Sequence, residues 1–234
     1  MPKALSVIVP AFNEEVLLPG CLDSLLAQSA DPGLYEIVVV DNHSTDRTAT
    51  IARSKGVRVE EEPRKGYVHA LRRGVEVSRA DLLAFTDADC RARRDWVARI
   101  LRDFEETPGI VALGGRLDFF DLNPILKDVT KGILAFSNVL PGNNMVLRRE
   151  ALGRIGGIDP RVNLSADYGL TLRLRRVGRI RMDRCLVVST SGRRFQRAFT
   201  SHLRYAANAV FIGLFGRPLF FDFQDVRGPS KAQT

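Results

Sequence analysis

The feature that most narrows the fold is a change of period, repeated four times in the first half of the chain. Short runs rich in β-branched residues, Leu5–Pro10, Tyr35–Asp41, Val57–Glu60 and Leu82–Thr86, alternate with stretches of helical spacing. Those stretches are Leu17–Gln28, a segment from Ser44 or Thr45 as cap to about Lys55, Tyr67–Ser78 and Arg94–Glu106. In the first of them Leu18, Leu22, Leu25 and Leu26 share one face, and Pro19 sits in the first turn. Tyr35–Asp41 is almost unbroken in its apolar character, as suits a strand covered on both sides. Strands alternating with helices of this length predict an α/β domain with a mostly parallel central sheet and helices on both faces.

The second half is less regular. Ile110–Leu113, Asn144–Arg148 and Leu186–Ser189 read as strands. Lys127–Phe136 and Asp167–Val177 read as helices, the latter ended by Gly178, and Phe195–Leu214 is amphipathic. A single domain over residues 1–226 with a tail at 227–234 is expected. No 18-residue apolar run is present; the longest candidate, Ala206–Phe223, is interrupted by Asn208, Gly213, Gly216, Arg217 and Pro218. With no leader pattern before the first strand, a cytoplasmic location is expected. Cys21, Cys90 and Cys185 lack metal-ligand spacing and are expected as reduced, buried thiols. His43, His69 and His202 are scattered and read as structural or surface residues.

The net charge of +8 is concentrated. Between Arg173 and Arg204 ten arginines face one acid, Asp183. Such a segment suits an anionic membrane surface or a phosphorylated ligand. Nucleic acid is not expected, because interleaved aromatics and any nucleic-acid module pattern are missing.

Ligands of open α/β sheets bind beyond the carboxyl ends of the strands. Asp41 closes one strand there, and Asp87 and Asp89 follow another in Thr86-Asp87-Ala88-Asp89. Two carboxylates one residue apart suit a hard cation, Mg²⁺ or Mn²⁺, bridging protein and a diphosphate. The glycine cradles of dinucleotide enzymes and of P-loop proteins are absent, so a metal on carboxylates is the natural substitute.

Five segments in order then resemble the inverting family 2 glycosyltransferases of GT-A fold. They are Ser6–Glu15, Val38–Asp46 with its Asp-x-x-Ser-Thr-Asp turn, Lys65–Gly74, Thr86–Asp89, and Pro141–Arg149. The resemblance covers about residues 5–180 and implies a nucleotide-sugar half, 5–115, and an acceptor half, 116–226. It implies a UDP-, GDP- or dTDP-sugar donor and a glycan or lipid-linked acceptor. Pro10, Phe12, Glu14, Val39, Asp41, Lys65, Asp87, Ala88 and Asp89 would surround the donor, with Asp87 and Asp89 at the metal. Gly142, Asn143, Arg193 and Arg194 would lie toward acceptor or diphosphate. Asp167 aligns with the family's general base. Ala166 stands where the family usually has Glu, and Gly169 where a second Asp is frequent; this departure leaves open a non-catalytic nucleotide-sugar-binding or partner-docking protein of the same fold. Arg91 replaces a Gln usual among polyprenyl-phosphate sugar synthases, which argues against that subclass.

Overall fold

The computed structural model describes residues 3–124, 127–128, 139–161, 166–193, 207 and 211. The expected alternation is present as β1 (Leu5–Ala11), α1 (Leu18–Leu26), β2 (Tyr35–Asp41), α2 (Thr48–Ser54), β3 (Arg58–Glu61), α3 (Tyr67–Val77) and β4 (Leu82–Phe85). There follow β5 (Cys90–Ala92), α4 (Trp96–Glu106), β6 (Ile110–Phe119), β7 (Met145–Arg148), α5 (Arg149–Arg154), α6 (Ala166–Leu174) and β8 (Arg179–Thr190). Among the described residues the strands form one sheet in the order β3-β2-β1-β4-β7-β6-β8-β5.

The first four strands are parallel. β7 then enters antiparallel to both β4 and β6, β6 and β8 run parallel, and β5 is antiparallel to β8. The sheet is therefore parallel over the first half and mixed over the second. Its two faces carry separate cores, as the period of a strand requires. Leu5, Val7 and Val9 of β1 pack with Val39 of β2 under α1 and α4, where Leu18, Leu22, Leu25, Trp96, Val97 and Ile100 lie. Ile8, Val38 and Val40 face the other way, toward Val68 and Leu71 of α3, Leu152 of α5, and Leu170 and Leu174 of α6. Each such side chain contributes about 1.5–3 kcal/mol on full burial, so the two layers together fix which face every strand presents.

Several boundaries differ from expectation for local reasons. Ser44 and Thr45 do not cap α2. The Ser44 hydroxyl accepts from the Asn13 amide and the Thr45 amide donates to Asn13 Oδ1, so both are spent on joining two loops. Asp46 takes over, accepting from the Thr48 amide at 2.9 Å. The helix expected over Asp167–Val177, α6, ends at Leu174. Gly178 is not a left-handed cap: a Cβ there would lie 2.2 Å from Val111 Cγ1, so glycine is required by close packing on β6. β5 and α5 escaped the sequence reading, and β6 and β8 extend well beyond it. Cys21 and Cys90 are buried as expected, but Cys185 is exposed. Only Lys127 and Asp128 of the expected 127–136 helix are described, and they are helical. His202, Arg194 and nearly all of the amphipathic 195–214 segment lie outside the described residues.

The mixed half is stitched by Asn144, which is fully buried. β6 and β8 slip in register between the Gly114/Met182 and Arg116/Val187 pairs. At that slip the Asn144 amide Nδ2 donates to the carbonyls of Arg116 and Leu186, both at 2.9 Å. Its Oδ1 accepts from the Trp96 indole at 2.9 Å, anchoring α4. Gly115 permits the approach, since a Cβ there would meet Leu186 O at 2.1 Å and Asn144 Nδ2 at 2.2 Å. Replacing Asn144 by Leu would orphan one donor and two acceptors in a dry interior. Urea unfolding of Asn144→Leu is expected to show a loss of about 3 kcal/mol or more. A loss under about 1 kcal/mol would mean that other groups or water satisfy the slip.

Candidate active site

The carboxyl ends of β1, β2 and β4 open into a group of loops that hold one another. The Asn13 amide donates to Ser44 Oγ at 3.0 Å, Glu14 to Thr48 Oγ1 at 2.8 Å and Glu15 to Asp46 Oδ2 at 3.1 Å. Asn13 itself takes φ +52 to make the turn. Asn42 does the same work on the other side. Its Nδ2 donates to the carbonyls of Glu62 and Arg64, and its Oδ1 accepts from the Gly66 amide at 2.8 Å. This places Lys65 with its ammonium 5.1 Å from the centre of the Phe12 ring, so two of the expected donor residues from distant loops meet in a cation–π pair.

Asp41, at the end of β2, is nearly buried. Its Oδ2 accepts a long bond from the Ser44 amide, 3.4 Å, while Oδ1 has no hydrogen-bond partner among the described residues. A buried carboxylate oxygen without a partner at the end of a strand is suited to an N–H donor from a ligand. Pro10 and Ala88 are buried beside these loops, and Val39 is fully buried within the core beneath them, so Val39 supports the floor from below.

Asp87 and Asp89 leave β4 in a turn pinned at both sides. The Tyr67 hydroxyl donates to Asp87 Oδ1 at 3.0 Å, and the Cys21 thiol donates to the Asp87 carbonyl at 3.4 Å. Asp89 Oδ1 accepts from Thr190 Oγ1 at 3.4 Å, and the Asp89 carbonyl accepts from the Ser191 amide at 3.1 Å. Burial, with Asp89 and Asp87 nearby, pushes the Cys21 and Cys90 thiols well up, so both are protonated at neutral pH. Arg193, beyond the end of β8, sends its guanidinium across to Asp89 Oδ2 at 3.2 Å and donates to Glu14 Oε1. Arg91 points elsewhere and stacks on Phe120, 4.7 Å from its centre. Tyr67 and Thr190 escaped the sequence reading; the position of Tyr67 directly after Lys65-Gly66 was the available signal for the first.

Asp167 lies in the first turn of α6. Its Oδ2 accepts from the Gly142 amide at 3.3 Å and its Oδ1 from the Tyr168 amide at 2.9 Å. Burial pushes its pKa above the usual Asp value, and the two N–H donors only partly offset this. The neighbouring Asn143 reaches back to the Cys90 sulfur at 3.5 Å, so the loop holding Asp167 touches the residue next to Asp89. The structure thus brings Phe12 to Lys65, Arg193 to Glu14 and Asp89, and Gly142 and Asn143 to Asp167 and Cys90. Arg194 lies outside the described residues.

A family model described as Glycosyl transferase family 2 matches residues 6–155. The chain belongs to glycosyltransferase family 2. An uncharacterised glycosyltransferase of Mycobacterium tuberculosis is 32% identical over 181 residues, covering 74% of this chain and 78% of its own. The glycosyltransferase AglE of Haloferax volcanii is 33% identical over 121 residues, and the match takes in 49% of this chain and 40% of that protein. Among solved structures, a mannosyltransferase from Pyrobaculum calidifontis in complex with GDP-Man and Mn²⁺ superposes with a TM-score of 0.72 at 23% identity. That superposition covers 90% of this chain and 64% of the other, so this family 2 chain spans under two thirds of it. Glucosyl-3-phosphoglycerate synthase from Mycobacterium tuberculosis gives 0.65 at 21% identity, covering 92% and 81%. At these identities the likeness speaks for the GT-A fold.

The raised pKa of Asp167 has a measurable consequence. A carboxyl that holds its proton more tightly folded than unfolded adds stability as pH falls through the folded value, and the gain is complete below the unfolded value. The unfolding free energy of wild type minus that of Asp167→Asn is therefore expected to increase as pH is lowered from 7, levelling off below about 3.9. Denaturant melts of both proteins across pH check it, and a difference that shrinks on acidification would contradict a raised value.

Proposed function

We propose that this family 2 chain transfers a sugar from a nucleotide-diphosphate-sugar to a hydroxyl acceptor with inversion, Asp167 acting as general base and Asp87 and Asp89 holding a divalent cation. The observation that carries the reading is the contact chain Asp167–Gly142–Asn143–Cys90–Asp89, which joins a half-buried, base-suited carboxylate to the Asp-x-Asp turn in one site.

The residues present fit the cation. Asp87 and Asp89 offer hard carboxylate oxygens, the donor type that suits Mg²⁺ and Mn²⁺. Among the described residues no third His, Cys, Asp or Glu completes a cage with them. Sites that share the ion with substrate phosphates have this sparse form. When bound, the ion would offset charge gathering on the departing diphosphate.

The remaining roles belong to the chain's own side chains. The open Asp41 Oδ1 suits an N–H of the nucleobase, and the Phe12 ring with Lys65 above it offers a wall and a positive charge beside the phosphates. Glu14 and Pro10 would frame the same pocket. Arg193 supplies a second positive charge at its mouth. Asp167, desolvated and held by two amides, would take the proton of the acceptor hydroxyl as it attacks the anomeric carbon in line. A positioned base of this kind is worth about 10²–10⁴-fold. The solved relatives bound to GDP-Man and to UDP-glucose, each with Mn²⁺, support the donor class while leaving the base open between guanine and uracil. Among the described residues no helix is long and apolar enough to cross a membrane. The arginine-rich run after residue 173 supports an acceptor or surface bearing negative charge, such as a lipid-linked glycan at an anionic membrane.

Asp167→Asn is expected to lower kcat by about 10²-fold or more while donor affinity holds. Unchanged turnover would remove Asp167 as the base. In a thermal-shift panel of UDP-, GDP- and dTDP-sugars with Mn²⁺ or Mg²⁺, one nucleotide series is expected to stabilise wild type in a metal-dependent way. The expected gain at about 100 times the dissociation constant is roughly 2.7 kcal/mol, absent in Asp89→Ala. Equal stabilisation with and without metal would refute the metal assignment. Metal-dependent binding without turnover toward any acceptor, water included, would favour the non-catalytic reading.

A further inference from the structure

Glu14 and Asp89 come from loops far apart in sequence, and their side chains are 8% and 15% exposed. Two carboxylates this poorly solvated repel each other unless a cation stands between them. A cation present is the Arg193 guanidinium, whose Nη2 serves both: it donates to Glu14 Oε1 and lies 3.2 Å from Asp89 Oδ2. Its backbone is anchored nearby, through the Ser191 amide to the Asp89 carbonyl and through the Ser191 hydroxyl and Gly192 amide to the Asp121 carboxylate. The arginine is therefore tethered within reach of the site whichever partner its side chain takes.

A guanidinium on Asp89 Oδ2 takes up an oxygen that a divalent ion on the same carboxylate would use, and the two cations repel each other at this range. A diphosphate offers the guanidinium a matching partner, because paired oxyanions accept its parallel N–H groups. We propose that Arg193 is the resident counter-cation of this carboxylate cluster, that it must leave Asp89 for the metal to bind, and that the incoming diphosphate draws it away. Metal and donor then bind as a coupled pair, and the metal binds weakly by itself. The inference rests on the reading of Asp87 and Asp89 as metal carboxylates. Arg193 acts here as a positioning residue: it sets the order in which the site fills.

The test measures Mn²⁺ binding directly, from the loss of the free-ion electron paramagnetic resonance signal, with and without UDP or GDP, on the full chain. Arg193→Gln is expected to bind Mn²⁺ alone about tenfold more tightly than wild type, and the factor by which nucleotide improves Mn²⁺ binding should fall correspondingly. Arg193→Lys keeps a charge but loses the second donor arm and is expected to fall between the two. A merely structural arginine would give the opposite result, with Mn²⁺ binding weakened in Arg193→Gln whether or not nucleotide is present. Identical affinity for Mn²⁺ alone in all three proteins overturns the inference. Asp89→Ala separates this failure from failure of the metal reading. If Mn²⁺ binds wild type, requires Asp89 and ignores Arg193, only the counter-cation role is lost. If Mn²⁺ binds none of the proteins even with UDP and GDP, the metal reading fails and this inference with it.

Discussion

The architecture turns on the fully buried carboxamide of Asn144. A parallel four-stranded sheet can be extended by an antiparallel strand only if the strands beyond it find a register that also buries their side chains. Here β6 and β8 do not keep a single register, and the slip between them would leave the Arg116 and Leu186 carbonyls unpaired in the interior. One side chain satisfies both and holds the Trp96 indole as well. Because Asn144 immediately precedes β7 and follows Asn143 and Gly142, the same short segment sets the far half of the sheet and positions the loop against Asp167.

Electrostatics organise the other end of the sheet. The strand ends gather Glu14, Asp41, Asp87 and Asp89, and each is handled differently. Asp41 keeps one oxygen open. Asp87 is held by the Tyr67 hydroxyl. Asp89 and Glu14 share an arginine from the opposite end of the chain. Asp167 stands apart from this cluster, desolvated with amide donors in place of a cation, which raises its basicity. On the proposed reading the separation matters chemically, since a carboxylate paired with arginine would be a poor proton acceptor, whereas a metal ligand must stay ionised.

Much of this was legible in the residues. Tyr35–Asp41 reads as a strand to the residue because an acid closes an apolar, β-branched run broken only by Glu36. The Asp-x-Asp turn was readable because it follows an apolar strand. The missed elements share a physical reason. β5 and α5 have three and six residues, too few to display a period. Of β8 only Leu186–Ser189 is legible as a strand, because Arg179, Arg181 and Arg184 obscure the alternation of its first half, whereas Leu186, Val188 and Thr190 are buried at its end. Ser44 and Thr45 carried a valid capping signal that tertiary contact with Asn13 overrode. The bridge from Arg193 to Glu14 spans most of the chain, and no local pattern announces a contact of that range.

The cysteines differ in a way that has a practical side. Cys21 and Cys90 are enclosed and held as thiols by burial beside two acids, whereas Cys185 faces solvent on β8. A maleimide dye or spin label applied to the folded native protein will therefore go to one sulfur. That sulfur sits on the strand that ends beside Asp89 and leads directly to Arg193. The molecule carries its own attachment point for distance spectroscopy, on the element whose exit borders the site, with no engineered cysteine needed.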